Sequence, residues 1–127
     1  MDYMIADSNK KRSGLLQKKI DTYRNVRCIG SFVSERELLE KTWLEVPDLV
    51  LVYIGDNSLN AFSVLQTVNA VTPEVNVVFY SEKGEYAMDS YDKGADYFLQ
   101  IPADDIQIGK LIFRYLGSKN TVANRLI

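Results

Sequence analysis

Pro47-Asp48-Leu49-Val50-Leu51-Val52-Tyr53-Ile54 is the stretch on which the fold turns. After a proline that stops the preceding helix, every position from Leu49 to Ile54 is apolar or aromatic, with no alternation. A strand with one wet face alternates. A strand apolar throughout is covered on both faces, as in the centre of a parallel sheet. The run also falls far short of the roughly 18–20 apolar residues that span a bilayer.

On either side of this strand, apolar runs and helical patterns take turns along the chain. Tyr3 to Ala6 predicts a first strand. Asp7-Ser8-Asn9 supplies capping groups for a helix to about Tyr23, with Leu15, Leu16 and Ile20 on its inner face. Val26 to Ile29 predicts a second strand. Ser34 and Glu37 form a capping box for a helix whose apolar face carries Leu38, Leu39 and Trp43. Beyond the central strand, Asn60 caps a helix to about Val71, and Val75 to Tyr80 is β-branched and aromatic-rich, a fourth strand. A helix to about Lys93 ends at Gly94, where a C′ glycine belongs. Asp96 to Gln100 predicts a fifth strand. Asp104 and Asp105 favour the start of a last helix ending at Gly117.

Five strand–helix pairs in strict alternation imply right-handed crossovers and a parallel sheet with helices on both faces. The expected class is α/β, a flavodoxin-like (βα)5 three-layer sandwich with strand order 2-1-3-4-5. Residues 1–117 would form the domain, and 118–127 a tail or the start of a linker to an output domain.

Composition narrows the function. The chain has 127 residues, 46% hydrophobic and 25% charged, which is one ordinary globular domain. It has no histidine, which excludes Ser-His-Asp and Cys-His hydrolases, His-ligated zinc and histidine phosphorelay donors. No basic-then-apolar leader opens the sequence, and Cys28, the one cysteine, fits a reducing cytoplasm. The net charge of -2 hides a split. Residues 1–30 carry seven Lys/Arg against three acids, residues 31–105 four against fourteen, and residues 106–127 four against none. A pI near 5.1 argues against nucleic-acid binding by the domain as a whole. The basic cluster Lys10, Lys11, Arg12, Lys18 and Lys19 reads first as a solvated helix face, with local electrostatic docking as its functional alternative.

In this architecture chemistry sits beyond the carboxyl ends of the strands. Nucleotide or flavin binding is not supported there: no G-x-G-x-x-G follows the first strand, no G-x-x-x-x-G-K-[ST] occurs, and Asp7 stands where a phosphate loop needs small donors.

Those strand ends do carry a resemblance. Asp7 with Arg12 and Leu15 behind it, Pro47-Asp48-Leu49-Val50-Leu51-Val52, Gly94-Ala95-Asp96-Tyr97-Phe98-Leu99 and Pro102 resemble the receiver domain of two-component response regulators, over about residues 3–116. The resemblance implies a domain that accepts a phosphoryl group on an aspartate ending the third strand. Acidic residues ending the first strand would hold Mg²⁺, and a Thr/Ser and a Lys ending the fourth and fifth strands would complete the site. Here the phosphoacceptor position falls on Tyr53, the first acidic position on Ala6, the Thr/Ser position on Tyr80 beside Ser81, and the Lys position on Ile101. Asp7 is the one matched carboxylate. A phenol with a reference pKa of about 10 replaces neither the nucleophile nor a hard-cation ligand. The expectation is therefore an atypical pseudo-receiver without enzymatic activity, cofactor or metal, its hollow lined by Ala6 and Ile101. Tyr53 is expected to lie across it, bonded to Asp7 or a loop backbone group. Tyr80 and Phe98 resemble the pair that couples phosphorylation to surface change, here locked by packing.

Such a domain would be a phosphorylation-independent protein-interaction module in signal transduction or transcriptional control. By the resemblance, its surface is the fourth helix, fifth strand and fifth helix: Met88, Tyr91, Asp92, Lys93, Tyr97, Ile108, Lys110 and Arg114. The partner would be a second copy or an output domain, with no nucleic acid or membrane bound directly. One alternative is an active receiver with a rearranged acidic site, Asp7 and Asp56, which takes a phosphoryl group with Mg²⁺. Another is a small-molecule sensor using the less polar hollow.

Overall fold

The structure, a computed structural model, describes residues 1–55 and 59–116. Its elements run β1 (Asp2–Ala6), α1 (Lys10–Ile20), β2 (Arg27–Phe32), α2 (Glu35–Leu44), β3 (Leu49–Tyr53), α3 (Ala61–Val71), β4 (Asn76–Ser81), α4 (Tyr86–Asp92), β5 (Tyr97–Gln100) and α5 (Asp105–Leu116). The strands form one sheet in the order β2-β1-β3-β4-β5, with every neighbouring pair parallel. This is the flavodoxin-like arrangement expected from the alternation of patterns. β3 lies in the middle, and all five of its residues are buried.

The period of two along each strand divides the core. Met4, Ala6, Val50, Val52, Val77, Phe79 and Phe98 face α2, α3 and α4. Tyr3, Ile5, Leu49, Leu51, Tyr53, Val78, Tyr80 and Leu99 face α1 and α5.

The caps lie where the sequence places them. Asn9, Ser34 and Asn60 each accept a hydrogen bond from the backbone N–H three residues on. Asp104 and Gln107 cap α5 reciprocally, side chain to backbone, at 2.8 and 2.9 Å. Gly94 takes φ +100° just past α4, a conformation that costs glycine little.

Two helix faces differ from expectation. Leu15 is 58% exposed and Trp43 67% exposed, whereas Leu16, Ile20 and Leu38 are buried. In α2 the buried residue one turn after Leu38 is Thr42, whose hydroxyl donates to the Leu38 carbonyl at 2.7 Å. Trp43 is one residue further on and is rotated away by about 100°. β2 also starts one residue later than its apolar run and ends three residues beyond it, at Phe32, as a half-buried edge strand. Gly117 and the proposed tail 118–127 lie outside the described residues. Among the described residues no helix is long and apolar enough to cross a membrane.

Two glycines give opposite expectations. Gly14 lies inside α1, and a methyl group placed on its Cα would have nothing within 4 Å. Gly14→Ala should therefore raise stability by about 0.5–1 kcal/mol. Gly55 has φ +151°, and a Cβ there would meet the Tyr53 hydroxyl at 2.8 Å. Gly55→Ala should lower stability by about 1–3 kcal/mol. Urea denaturation midpoints of the two variants should move in opposite directions.

Candidate functional site

The ends of β1, β3 and β4 bring a carboxylate, a guanidinium and two phenols together. Asp7 follows the last residue of β1, and the alternation along the strand turns it toward the α1/α5 side. Tyr53 and Tyr80 are register partners at the ends of β3 and β4 and face the same side. Arg12 lies in the first turn of α1 and reaches back to Asp7.

Asp7 is 2% exposed, and at least two donors reach each of its oxygens. Oδ2 accepts from Arg12 Nε at 2.8 Å and from the Tyr80 hydroxyl at 2.6 Å. Oδ1 accepts from Arg12 Nη2 at 2.5 Å and from the Asn9 backbone N–H at 2.9 Å. Arg12 thus holds the carboxylate with a two-pronged fork, the strongest ion-pair geometry available to these groups. The Arg12 guanidinium carbon also lies 3.2 Å from the centre of the Tyr53 ring, a cation–π contact. The Tyr53 and Tyr80 rings meet edge to face, 5.5 Å apart. The Tyr53 hydroxyl donates to Glu82 Oε1, and Glu82 Oε2 lies 4.0 Å from Arg12 Nη1.

Several expectations change in detail. Tyr53 bonds Glu82 rather than Asp7 or a backbone group, and Tyr80 is the phenol that bonds Asp7. Ala6 is fully buried on the α2/α3 side, so it does not share a hollow with Ile101, which packs on the α1/α5 side. Tyr80 and Phe98 are both buried, but on opposite faces of the sheet, because Tyr80 pairs with Leu99 and Phe98 with Phe79. They cannot act as one contacting pair. Ser81 is fully buried and its hydroxyl accepts from the Lys83 backbone N–H at 3.2 Å. Asp56, the alternative acceptor, lies outside the described residues. Glu82 is the member of the cluster to which the sequence assigned no role; its place directly after the fourth strand put it among the strand-end residues but said nothing of its partner.

The phenols are held neutral. Burial, then the charge and hydrogen bond of Asp7, push the Tyr80 hydroxyl far above its ordinary value. Burial and the bond to Glu82 raise Tyr53 from 10.0 to about 12. The same bond from Tyr53 lowers the Glu82 carboxyl. Burial also raises Tyr3, bonded to Asp21, and Tyr115, bonded to Asp96. A group whose value is raised on folding stabilises the fold fully below its unfolded value and loses that contribution as pH climbs through the folded one. The melting temperature should therefore fall as pH rises above about 10. Tyr53→Phe should make that fall shallower between 10.0 and about 12, by the share Tyr53 contributes there, and leave the share of Tyr3, Tyr80 and Tyr115 in place.

On the outer surface, Met88 is 75% and Tyr91 49% exposed. Asp92, Lys93 and Lys110 are exposed and Tyr97 is half-buried. Ile108 is buried beneath α5 and cannot belong to that surface; Ile106 and Phe113 are the exposed apolar residues of the helix. Arg114 is exposed yet engaged, with Nη2 donating to the Asp96 carbonyl at 3.1 Å. The Tyr91 hydroxyl accepts from the Phe98 backbone N–H at 3.2 Å, which ties α4 to β5.

No protein-family model matches the sequence, and no curated protein matches it. Solved structures do. The response regulatory domain of protein mrkE from Klebsiella pneumoniae superposes with a TM-score of 0.76 at 18% identity, over 91% of this chain and 98% of that one. NtrX from Brucella abortus gives 0.79 at 19% identity, over 98% of this chain and 28% of that longer one. RcsB from Salmonella enterica serovar Typhimurium, solved bound to promoter rprA with phosphomimetic BeF3-, gives 0.75 at 14% identity, over 99% of this chain and 73% of that one. With the strand order β2-β1-β3-β4-β5 and a superposition over 91% of this chain, the protein has the fold of response-regulator receiver domains.

Proposed function

We propose that this receiver-fold domain works without phosphorylation at its third-strand position, as a protein-interaction module in signal transduction or transcriptional control. The observation that carries the reading is the state of Asp7. A carboxylate has about four lone-pair sites, and donors from Arg12, Tyr80 and Asn9 occupy them. Mg²⁺ would have to displace the guanidinium fork to bind it, and among the described residues no group of three or more acidic, cysteine or histidine side chains is placed to hold a metal ion. At Tyr53 the site offers a neutral phenol in place of an acyl-phosphate nucleophile. These features also weigh against a rearranged acceptor that uses Asp7 with Asp56.

The module needs a surface instead. Exposed Met88 and Tyr91 on α4, half-buried Tyr97 on β5 and exposed Lys110 on α5 would supply its mixed apolar and charged groups. RcsB, which this chain resembles in fold, was solved bound to promoter DNA, and by that likeness an output domain is the partner class such a surface would serve, with a second copy as the alternative. The domain itself is read as non-enzymatic and without a cofactor, acting in the cytoplasm.

Melting curves with and without millimolar Mg²⁺ and beryllofluoride test the reading. The midpoint should not move, since a ligand stabilises only a fold it binds. A midpoint that rises with concentration of the pair would show a working acidic pocket. Light scattering after gel filtration tests self-association separately, and a mass that stays monomeric at every concentration would leave a different partner as the occupant.

A further inference from the structure

The geometry points to a second site, a binding cleft for a small organic carboxylate with an aromatic or short alkyl body, between α1 and the loop that joins β5 to α5. The cleft has a volume of about 450 Å³, within the range of small-ligand pockets, roughly 300–1,000 Å³. It lies beside the Asp7 cluster but is built largely from other residues. Its floor is apolar: Leu15, Leu16, Ile101, Pro102 and Ala103. Leu15 is 58% exposed, so this wall holds apolar surface that the fold itself leaves uncovered.

The rim selects charge. Lys11, Lys19 and the Asp7-paired Arg12 border the cleft, and its one lining acid, Glu82, already accepts from Tyr53. Lys19 Nζ donates to the Ala103 carbonyl at 2.5 Å, which holds its charge at the mouth and ties α1 to the opposite wall. The surrounding segment, residues 1–30, carries seven bases against three acids, so the local field favours an anion over a cation. An apolar floor with a cationic rim matches a ligand whose body is apolar and whose one end is a carboxylate. A purely polar anion would leave the floor wet. A neutral hydrocarbon would leave the rim unused. Bound there, the ligand would span α1 and the β5–α5 loop and add to the link that Lys19 makes between them. The cleft would take it whether or not the domain is phosphorylated.

Amide chemical-shift titrations with naphthoate and with the equally bulky naphthylmethylammonium cation test it. Naphthoate should give saturable shifts centred on Leu15, Leu16, Ile101 and Ala103, and the cation should bind at least roughly tenfold more weakly. Leu15→Glu and Lys11→Glu should each weaken naphthoate roughly tenfold, as expected for removing an apolar wall or reversing a charge beside the anion. Both side chains are exposed and glutamate is a good helix former, so the variants keep the fold. Absence of saturable shifts in the cleft, equal binding of the cation, or unchanged affinity in both variants would overturn the proposal.

Discussion

Arg12→Ala should destabilise the domain by about 3 kcal/mol, the lower part of the range for breaking a buried ion pair by removing one partner. The cost arises less from the missing guanidinium than from the group left behind. Asp7 is fully buried at its side chain while Arg12 is 17% exposed, so alanine leaves a desolvated carboxylate with no counter-charge. Arg12→Lys should cost less, about 1–2 kcal/mol, because an ammonium keeps the charge and loses the fork. In a double-mutant cycle with Asp7→Ala, the two changes together should cost about 2 kcal/mol less than their sum. Arg36→Ala supplies the contrast: Arg36 and Glu40 form an exposed helical pair with side chains 88% and 64% exposed. That change should cost under about 0.5 kcal/mol. Denaturant midpoints at two salt concentrations would check both, since only the exposed pair should respond to salt.

Phe79→Ala should cost about 4 kcal/mol, a large share of the roughly 5–15 kcal/mol that holds a typical domain together. Phe79 is fully buried in β4 and meets Phe62 of α3 edge to face at 5.6 Å. Its removal opens a cavity between two layers that cannot collapse onto each other without moving the sheet. Trp43→Ala removes a larger side chain but should cost under about 0.5 kcal/mol, because Trp43 stands in solvent on α2. Chemical denaturation of the two variants therefore tests the assignment of faces directly. Similar losses would mean that Trp43 is buried by something the single chain does not contain.

The contrast between these two aromatics shows what the sequence could convey. The unbroken run Leu49 to Ile54 identified the central strand, because burial on both faces leaves an unambiguous pattern, and the alternation of five strand–helix units gave the order of the sheet. The caps at Asn9, Ser34 and Asn60 were legible because their chemistry is local. Helix faces were less so. Neighbours on a helix differ by about 100° of rotation: Leu15 and Leu16, identical in kind, were both read as inward though only Leu16 is, and between Thr42 and Trp43 apolar size favoured the wrong member.

The site was legible as a set of substitutions but not as a geometry. That Tyr53, Tyr80 and Ile101 stand where a receiver would carry an acceptor, a hydroxyl and a lysine follows from the resemblance. That Tyr80 rather than Tyr53 reaches Asp7, and that Ala6 and Phe98 face the other way, depends on register and strand parity. Those belong to the assembled sheet. Glu82 entered for the same reason: a loop residue gains its role from the phenol that points at it.

The most direct test of the central claim is the intact mass of the protein after incubation with acetyl phosphate and Mg²⁺, beside Asp56→Asn. No phosphoryl adduct is expected on either protein. A Mg²⁺-dependent adduct that Asp56→Asn abolishes would contradict the claim, and would place a working acceptor in the loop after β3.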